Sequence, residues 1–438
     1  MKRVGEFVRR QIQELRAGGI KTFWRKAGTL LEVVAAIPVV LVARLLAPLV
    51  LIRFGGLPSV GIGPFALATE IYLCERDAGI HGKQKTIDLL YYCAPACNRQ
   101  LKAMWERVLT ISRFARAAER VNRWLPGGQR HRMPWGKIAS DIYGLLAQRP
   151  PHLSFTTEEE RQGQAALRQL GIQEGTPLVC FHACETFYYA TRRKRNPHDD
   201  RYRTSDIQTQ LPAMDALTQR GYVALRMGAV VQASLPTTNP RVIDYATIAR
   251  TDFLDIFLCW HCRFYLGGND GLGCLPLAFR RPVVFVQYAP LEYVWRWTPH
   301  DLILPKKLWL RSEHRWLTFR EIIDSGVGRL LQTELYEQRG IELVDNTPEE
   351  ITAIALEMDE RLNGTWQTTE EDEALQRRFW SLFAQTDGAA RAHLADRWSK
   401  GLVRAPGQIR ARIGAEFLRQ HRALLEDQTA SSPLVVTV

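Results

Sequence analysis

Two loops between residues 177 and 286 combine residue types that could bind a phosphorylated ligand and act on it. The first follows the apolar run PLVCFH and reads HACETFYYATRRKRNPHDDRYRTSD, and the second is the turn LGGNDGLGCLP. A glycine-rich turn that opens a helix offers free backbone N–H groups and the positive end of the helix dipole. In open α/β sheets ligands bind at the carboxyl ends of the strands, where both loops are expected. The segment therefore predicts a site for a nucleotide-type ligand.

Two arginines are the leading candidates for phosphate contacts. Arg203 lies in YRTSD just before a helix, and Arg226 ends the apolar strand YVALRM. Guanidinium groups bind phosphate through two parallel hydrogen bonds, and an arginine at the end of an apolar strand requires a partner. The nearby Arg192, Arg193 and Arg195 fit solvated surface positions instead, in a chain with 58 lysines and arginines.

Acid–base candidates stand in the same loop. His182 and Glu185 follow the first strand of this segment. A histidine there serves as an acid, a base or a phosphate donor, or it packs in the core. Ser205 or Thr204, followed by Asp206, caps the next helix or donates to a ligand at the crevice.

The turn LGGNDGLG adds flexible backbone and two further polar side chains. Its four glycines include Gly271 and Gly273 and allow a ligand to approach the backbone closely. Asn269 and Asp270 could hold a ribose or a sugar hydroxyl. Together with Arg226, the turn indicates a donor site for a phosphorylated compound.

The spacing of strands and helices predicts an α/β protein with two doubly wound, Rossmann-like domains facing a cleft. Strands separated by helical patterns of 10–15 residues imply parallel sheets with right-handed crossovers. A chain of 438 residues also exceeds one ordinary domain. The expected divisions are N-terminal helices in 1–48, a first Rossmann-like domain in 49–150, a second in 151–345 and a helical region in 346–438.

Composition limits the partners and the metal chemistry. The net charge of +12 favours an anionic partner, namely a phosphorylated substrate, nucleic acid or an acidic membrane surface. No nucleic-acid-binding motif occurs, so nucleic acid is not expected. The chain also lacks a P-loop and the D-x-D pattern that holds a divalent ion in many sugar transferases. Chemistry without a metal ion and without a cofactor is therefore expected.

The eight cysteines are expected to be reduced in an intracellular protein. Cys93 with Cys97, or Cys259 with Cys262 and the intervening His261, have spacings that could hold zinc. The second pair falls within the apolar helical pattern DFLDIFLCWHC, however, where free cysteine packs as a small hydrophobic residue. Core packing is the preferred interpretation of that pair.

The first fifty residues are expected to associate with a membrane. Residues 1–26 contain eight lysines and arginines against two glutamates, and the apolar run TLLEVVAAIPVVLVARLLAPLVLI follows. Glu32, Pro38 and Arg44 argue against a membrane span, because a mid-membrane charge costs about 2.5–3.5 kcal/mol. A basic helix followed by an apolar helix on the cytoplasmic leaflet of the inner membrane fits better. The alternative is a buried core helix.

Several blocks together resemble a bacterial family of glycosyltransferases associated with surface polysaccharide synthesis. They are LIRFGGLPSVGIGPFALATEIYLCERDAG, VCFHACETFYY with YRTSDI, RMG, IDYA, and DFLDIFL with GLGCLPLAFRRPVVFVQ, and they cover roughly residues 45–425. The resemblance implies a GT-B architecture with a nucleotide-sugar donor in the C-terminal domain and an acceptor in the N-terminal domain. It places Gly61, Gly63 and Glu70 on the acceptor side.

The resemblance implies transfer of a sugar from a nucleotide diphosphate sugar to a lipid-linked or polysaccharide acceptor. Arg203, Arg226 and the turn of Gly271 and Gly273 would stabilise the departing diphosphate, with Ser205 and Asn269 as further donor contacts. A carboxylate or histidine, namely Glu185, His182 or Asp270, would take the acceptor proton.

This sequence departs from the family pattern at two places. Cys184 and Glu185 stand where an arginine and an aspartate are common, and Gly61-Ile62-Gly63-Pro64 replaces Arg-Ile-Gly-His. A catalytically inactive relative that binds a phosphorylated ligand, or acts as a scaffold, is therefore the alternative.

Overall fold

The computed structural model describes residues 2–135, 141, 143–188, 190–191, 198–293, 298–384 and 411–426. Arg192, Arg193 and Arg195 lie outside these ranges. The chain forms two compact units. The first contains Met1–Val60, Arg76–Cys97 and Trp105–Trp135, and the second contains Gly61–Glu75, Asn98–Met104 and Gly136–Val438. The domain boundaries expected near residues 48, 150 and 345 stay predictions.

The strands, numbered along the chain, are β1 Leu51–Leu57, β2 Thr86–Tyr92, β3 Leu178–His182, β4 Val223–Arg226, β5 Val242–Ile243, β6 Phe264–Gly267, β7 Val283–Tyr288, β8 Leu302–Pro305, β9 Lys307–Leu310, β10 Arg315–Trp316, β11 Ile341–Val344 and β12 Arg412–Ile413.

The helices are α1 Lys2–Leu45, α2 Thr69–Asp77, α3 Arg99–Val108, α4 Phe114–Trp124, α5 Thr157–Gln169, α6 Thr186–Tyr188, α7 Leu211–Gln219, α8 Tyr245–Ile248, α9 Asp252–His261, α10 Cys274–Ala278, α11 Phe319–Asp324, α12 Thr333–Glu337, α13 Pro348–Asn363, α14 Glu370–Ala384 and α15 Ala415–Gln420. A π-helical turn covers Pro64–Ala68, and 3-10 turns cover Gly128–His131, Arg201–Arg203, Ile207–Gln210, Leu291–Tyr293, Val327–Arg329 and Arg422–Leu425.

The first unit packs a long helix against a parallel pair of strands. β1 and β2 run parallel from the pair Leu51–Thr86 to the pair Leu57–Tyr92. One side of α1 and the facing side of α4 form a buried apolar cluster with Phe54 of β1. Two successive N-terminal helices were expected, but α1 is one helix that continues through Pro38. Its buried seam packs against α4 on both sides of this proline, which holds the helix together despite the missing N–H group.

The second unit contains a parallel sheet in the order β12-β8-β7-β6-β3-β4-β5. Chain order runs from β3 to β5 towards one edge and then returns to β6, β7 and β8 on the other side of β3. This is a doubly wound sheet whose switch point lies between β3 and β6, where His182 pairs with Gly267. The α/β class is confirmed, and so is the doubly wound order expected for the C-terminal half.

Three expectations for the second unit were wrong in detail. The tail from Glu370 to Glu426 was expected to be helical, but Arg412–Ile413 adds strand β12 to β8. An antiparallel sheet in the order β10-β9-β11 was also found and was not expected, because its strands have only two to four residues and β11 lies far along the chain from β9. The helix expected at 206–220 begins as the 3-10 turn Ile207–Gln210.

The helix start at Thr347 is confirmed. The Thr347 side chain accepts a hydrogen bond from the Glu350 backbone, and the Glu350 carboxylate accepts one from the Thr347 backbone. Pro348 occupies the first turn and Gly364 ends the helix with a φ of 72°. This helix packs on α7, which follows the candidate phosphate-binding loop.

Candidate functional site

A histidine and an aspartate meet at the switch point of the doubly wound sheet. The Nδ1 atom of His182 lies 2.8 Å from the Oδ2 atom of Asp270. A carboxylate only accepts hydrogen bonds, so Nδ1 carries the proton and Nε2 keeps its lone pair. The His182 side chain is 12% exposed and that of Asp270 is 6% exposed, so the pair is largely buried. The pair therefore has the geometry of a general base held in one tautomer by a carboxylate.

Asp270 also closes the glycine-rich turn on itself. Its Oδ1 atom accepts hydrogen bonds from the backbone of Leu272 at 2.8 Å and of Gly273 at 3.2 Å. These are amide groups that the sequence pattern offered to a ligand phosphate. A ligand phosphate can therefore bind the Gly273 amide only if the hydrogen bond from that amide to Asp270 breaks. A sugar hydroxyl can bind Asp270 only if it shares a carboxylate oxygen with the turn amides or with His182.

The loop of Gly61 and Gly63 lies against the glycine-rich turn within the second unit. A Cβ atom at Gly63 would stand 3.0 Å from the Cα atom of Gly271 and 3.1 Å from the Sγ atom of Cys274. Glycine is needed at position 63 because a side chain would push these backbones apart. The structure thus brings together a loop expected on the acceptor side and a turn expected on the donor side.

Arg226 is held between two carboxylates. Its guanidinium donates to Glu185 Oε1 at 2.8 Å, to Asp244 Oδ1 at 3.1 Å and to the Ala233 carbonyl at 2.9 Å. The side chain is only 2% exposed, and the other Glu185 oxygen accepts from the Gln232 backbone. The need for a partner is confirmed, and protein carboxylates meet it. Arg226 as a phosphate ligand, and Glu185 as a base, stay predictions that require this cluster to open.

A polar cavity of about 700 Å³ opens beside Arg226 and Glu185. Its walls come from the loop after β3, the loop after β4, strand β11 and helix α12. Four cationic residues line it, namely Arg201, Arg226, Lys306 and Arg311, and so do five acidic residues, namely Glu185, Asp206, Glu337, Glu342 and Asp345. Its size and polarity suit a charged small molecule.

Two of these cations, Lys306 and Arg201, line the cavity and repel each other through their charges. Lys306 is buried and donates to the Thr204 carbonyl at 2.8 Å and to Asp345 Oδ1 at 2.7 Å. Burial lowers the pKa of Lys306, the Asp345 carboxylate opposes that shift, and the Arg201 charge lowers the pKa further. Arg201 is exposed, and its side chain has no ion-pair partner among the described residues. Arg201 is therefore the member of the pair that is open to an anion, whereas Lys306 is already paired with Asp345.

The loop that carries Arg201 is fixed at several points. The Ser205 backbone donates to the Cys184 carbonyl at 3.3 Å, and the Tyr202 backbone donates to Thr333 Oγ1 at 2.9 Å. Asp206, rather than Ser205 or Thr204, caps the following turn by accepting from the Gln208 backbone. The cap differs from expectation because the turn begins one residue later than the expected helix. Ser205 is left lining the cavity.

Two other predicted donor contacts lie apart from the cavity lining. Arg203 pairs with Asp200 Oδ1 at 2.7 Å and is not among the lining residues. Asn269 is half-buried beside Asp270 in the glycine-rich turn. The structure brings together Ser205, Glu185 and Arg226, and it separately joins His182 with Asp270.

Glu70 anchors a buried network in the second unit. Its carboxylate accepts from Arg280 at 2.6 Å and lies 3.0 Å from His152 Nδ1. Glu70, Cys74 and His152 have the ligand types of a metal site, with ligand atoms within 4.8 Å of one another. However, an Arg280 nitrogen stands 3.4 Å from the Cys74 sulfur, so the guanidinium lies where a metal ion would bind. These contacts make Glu70 a structural residue; its acceptor-side role stays a prediction.

The cysteines with zinc-like spacings pack as expected. Cys259 and Cys262 are buried, and burial raises the pKa of Cys259 well above its usual range. Such a thiol stays protonated and apolar. Cys93 and Cys97, by contrast, are exposed and form no disulfide.

Comparison with known proteins gives two structural likenesses. A glycosyl transferase family 9 structure from Veillonella parvula has 12% identity and a TM-score of 0.38, covering 72% of this chain and 97% of its own. The ADP-heptose lps heptosyltransferase II of E. coli has 16% identity and a TM-score of 0.29, covering 55% of this chain and 85% of its own. Both TM-scores are below 0.5, so neither likeness supports an argument about chemistry.

No protein-family model matches the chain, and no curated protein matches it.

Sequence reasoning missed Arg201 and Lys306. Arg201 stands two residues before the predicted Arg203, and Lys306 begins the doublet KK directly after the strand LILP. A lysine that ends an apolar strand carries the same signal that drew attention to Arg226. That signal was present in the sequence for Lys306, but nothing there placed it beside Arg201.

Proposed function

We propose that this protein is a metal-independent glycosyltransferase of GT-B type that uses a nucleotide diphosphate sugar. The observation that carries the proposal is the His182–Asp270 pair at the switch point of a doubly wound sheet. In such sheets ligands bind outside the carboxyl ends of the strands at that point. A tautomer-fixed histidine there supplies a base where a phosphorylated donor is expected.

In the proposed reaction His182 acts as the base, Asp270 supports it, and two cations bind the leaving diphosphate. The acceptor hydroxyl attacks the anomeric carbon, and its proton passes to His182 Nε2. The bond between that carbon and the phosphate oxygen breaks, and the nucleoside diphosphate leaves with the electron pair. Asp270 stabilises the positive imidazole, and Arg201 with Lys306 offsets the charge that grows on the departing diphosphate.

The proposed donor contacts include two cations that were not predicted from the sequence pattern. Arg201 and Lys306 are the primary cations because both line the cavity and Lys306 donates to the loop that carries Arg201. Lys306 reaches the ligand only if it shares or leaves Asp345. Ser205 donates from the same wall. Arg226 orients Glu185 and the loop after β4 through its ion pairs, and it reaches the ligand only if those pairs rearrange.

The acceptor is proposed to be lipid-linked or a polysaccharide in surface glycan biosynthesis, met at the cytoplasmic face of the inner membrane. The apolar stretch Ala27–Leu45, which has the length and composition of a membrane-crossing helix, supports this location. The bacterial origin and the glycan pathway rest on the sequence resemblance.

The direct test is release of nucleoside diphosphate from a panel of nucleotide diphosphate sugars, measured with and without lipid-linked and polysaccharide acceptors. Wild type should release the diphosphate, and His182→Gln should slow release by about 10²–10⁴-fold. Equal rates for wild type and His182→Gln would rule out the dyad as the base.

A non-catalytic phospho-ligand-binding or scaffolding protein is the second candidate. Two observations favour it: Asp270 already accepts from the Leu272 and Gly273 amides, and two carboxylates already pair with Arg226. Nucleotide binding to folded wild type without release of diphosphate from any donor–acceptor pair would support this candidate.

A further inference from the structure

The outer face of helix α1 is apolar and uncovered. Leu31 is 71% exposed and Leu45 is 80% exposed, and the intervening outward positions Val34 and Leu41 are each 53% exposed. At about 100° per residue these positions form a continuous strip along the helix. An exposed apolar strip of this length marks a surface that contacts another molecule or a membrane.

The inner face of the same helix is committed to the first unit. Val33, Ala36, Val40 and Ala43 are buried at three- and four-residue spacing and pack with apolar residues of α4 and with Phe54. One side of α1 is therefore protein-covered along about three turns, and the remainder is apolar and open.

Both charges in the apolar stretch border the buried seam and are bound by the first unit. Glu32 pairs with Arg113 at 2.8 Å. Arg44 donates to Asn122 Oδ1 at 2.9 Å and to the Pro126 carbonyl at 2.6 Å. Both charged groups therefore lie beside the buried seam and not on the outer strip. The Glu32 side chain is still 40% exposed, so its ion pair with Arg113 reduces its opposition to hydrocarbon without removing it.

The stretch Ala27–Leu45 is long and apolar enough to cross a bilayer. Crossing would also carry α4 into the hydrocarbon, because the two helices share the buried seam. The exposed Arg116, Arg120 and Arg123 of α4 would then lie in the membrane. Charges at that depth oppose insertion strongly. The packing thus favours a helix that lies in the plane of the interface.

The charge near the apolar strip indicates which kind of surface the strip contacts. Residues 1–26 carry a positive excess of six, and Trp24 at 67% exposure marks the junction with the apolar strip. Tryptophan favours the interface between lipid headgroups and hydrocarbon. A second copy of the chain would leave the positive excess unneutralised, whereas an anionic leaflet supplies the opposite charge.

We infer that α1 is a monotopic anchor: its inner face stays on α4, its outer strip enters the headgroup boundary of an anionic bilayer, and it does not cross. This inference goes beyond the proposed transferase activity and does not depend on it.

The first test is co-sedimentation of the full chain with vesicles of phosphatidylcholine and phosphatidylglycerol in equal amounts, and with phosphatidylcholine alone. Wild type should bind the anionic vesicles, less strongly at high salt but still measurably. Leu31→Gln together with Val34→Gln should weaken the partition coefficient about tenfold or more. Ile248→Gln is the matched control, since Ile248 is 65% exposed in the second unit, and it should bind as wild type does.

The second test distinguishes a helix that lies in the plane of the membrane interface from a helix that crosses the bilayer. A fluorophore is attached to a cysteine at position 34, 41 or 45, with Cys93 and Cys97 replaced by serine, and is quenched by lipids labelled at known depths. A helix in the interface plane places all three probes at one depth. A crossing helix spreads them over about 16 Å, at about 1.5 Å per residue.

Three results would overturn the inference. The first is a wild-type chain that stays in the supernatant at low salt. The second is a set of probe depths that increase steadily from position 34 to 45. The third is an α1 variant that changes the oligomeric mass in light scattering while its vesicle binding stays as in wild type. The last result would assign the strip to contact between copies. Thermal unfolding of each variant establishes that lost binding does not reflect lost folding.

Discussion

His182 Nδ1 lies 2.8 Å from Asp270 Oδ2 although 88 positions separate the two residues in the chain. They meet because β3 and β6 are neighbours at the switch point, with His182 opposite Gly267. A hydrogen bond to a carboxylate fixes which ring nitrogen is protonated. The fold therefore joins the last residue of a strand and a residue of a distant turn in one hydrogen-bonded pair.

Asp270→Asn should lower kcat for diphosphate release by about 10²–10⁴-fold while leaving donor affinity within a few-fold of wild type. The amide keeps the shape of the carboxylate and can still accept from the turn, but it no longer stabilises a positive imidazole. Steady-state kinetics separate the effect on kcat from that on KM. A variant that loses donor affinity and keeps its kcat would show that Asp270 only supports the turn.

Arg226→Ala should lower the free energy of unfolding by about 3–5 kcal/mol, because it leaves Glu185 and Asp244 largely buried without their cation. Urea denaturation measures the change. Arg241→Ala is the control: Arg241 is an exposed arginine beside the same strands, and its removal should alter stability by less than about 1 kcal/mol. Unchanged stability in Arg226→Ala, combined with lost nucleotide binding, would instead make Arg226 a phosphate ligand.

Arg44→Ala should destabilise the protein by about 1.5–3 kcal/mol through the loss of charged hydrogen bonds to Asn122 and the Pro126 carbonyl. Arg113→Ala removes an arginine whose side chain is 89% exposed, and it should stay within about 0.5 kcal/mol of wild type. Denaturant unfolding followed by fluorescence compares the two. Equal losses would mean that α1 is not held by Arg44.

Stability should depend on pH through Asp301. Burial raises the pKa of this carboxyl to about 7 from a usual value of 3.8, although backbone and hydroxyl donors of Val283 and Thr298 oppose the shift. Between these two values the folded chain keeps a proton that the unfolded chain releases. The contribution of Asp301 to the free energy of unfolding therefore falls as pH rises through this window, by up to about 1.4 kcal/mol per pH unit.

Asp301→Asn tests this sign. Removing the titrating group should flatten the decline of stability between acid and neutral pH, as measured by urea unfolding across the window. Parallel pH profiles for wild type and the variant would show that Asp301 is ionised in the folded chain throughout.

Much of the second unit could be predicted from local sequence signals. Apolar runs of four to six residues separated by helical patterns indicate a parallel sheet, and the strands at His182, Arg226 and Gly267 end within one residue of the expected positions. The capping pattern of Thr347 and Glu350 is likewise local, because it depends on residues three apart. The antiparallel strands and β12 escaped prediction because they are short and depend on partners distant in the chain.

The site was predictable in its residues but not in their pairings. Asp270 was expected to contact a sugar hydroxyl, whereas in the structure it forms hydrogen bonds with His182 and with the turn amides. Lys306 reaches the Thr204 carbonyl across 102 positions, and only the packed sheet brings it beside Arg201. Ion pairs of this kind are set by tertiary structure, so residue type and spacing do not reveal them.

Calorimetric titration with nucleoside diphosphates tests the central claim most directly, comparing wild type, Arg201→Ala and the control Arg168→Ala. Arg168 is exposed at the end of α5 and is absent from the cavity lining. Wild type and the control should bind at least one nucleoside diphosphate with equal affinity. Arg201→Ala should bind it about tenfold to a hundredfold more weakly, since it loses a charge-assisted contact. No binding to folded wild type, or equal binding by all three proteins, would contradict a diphosphate site at Arg201 and Lys306.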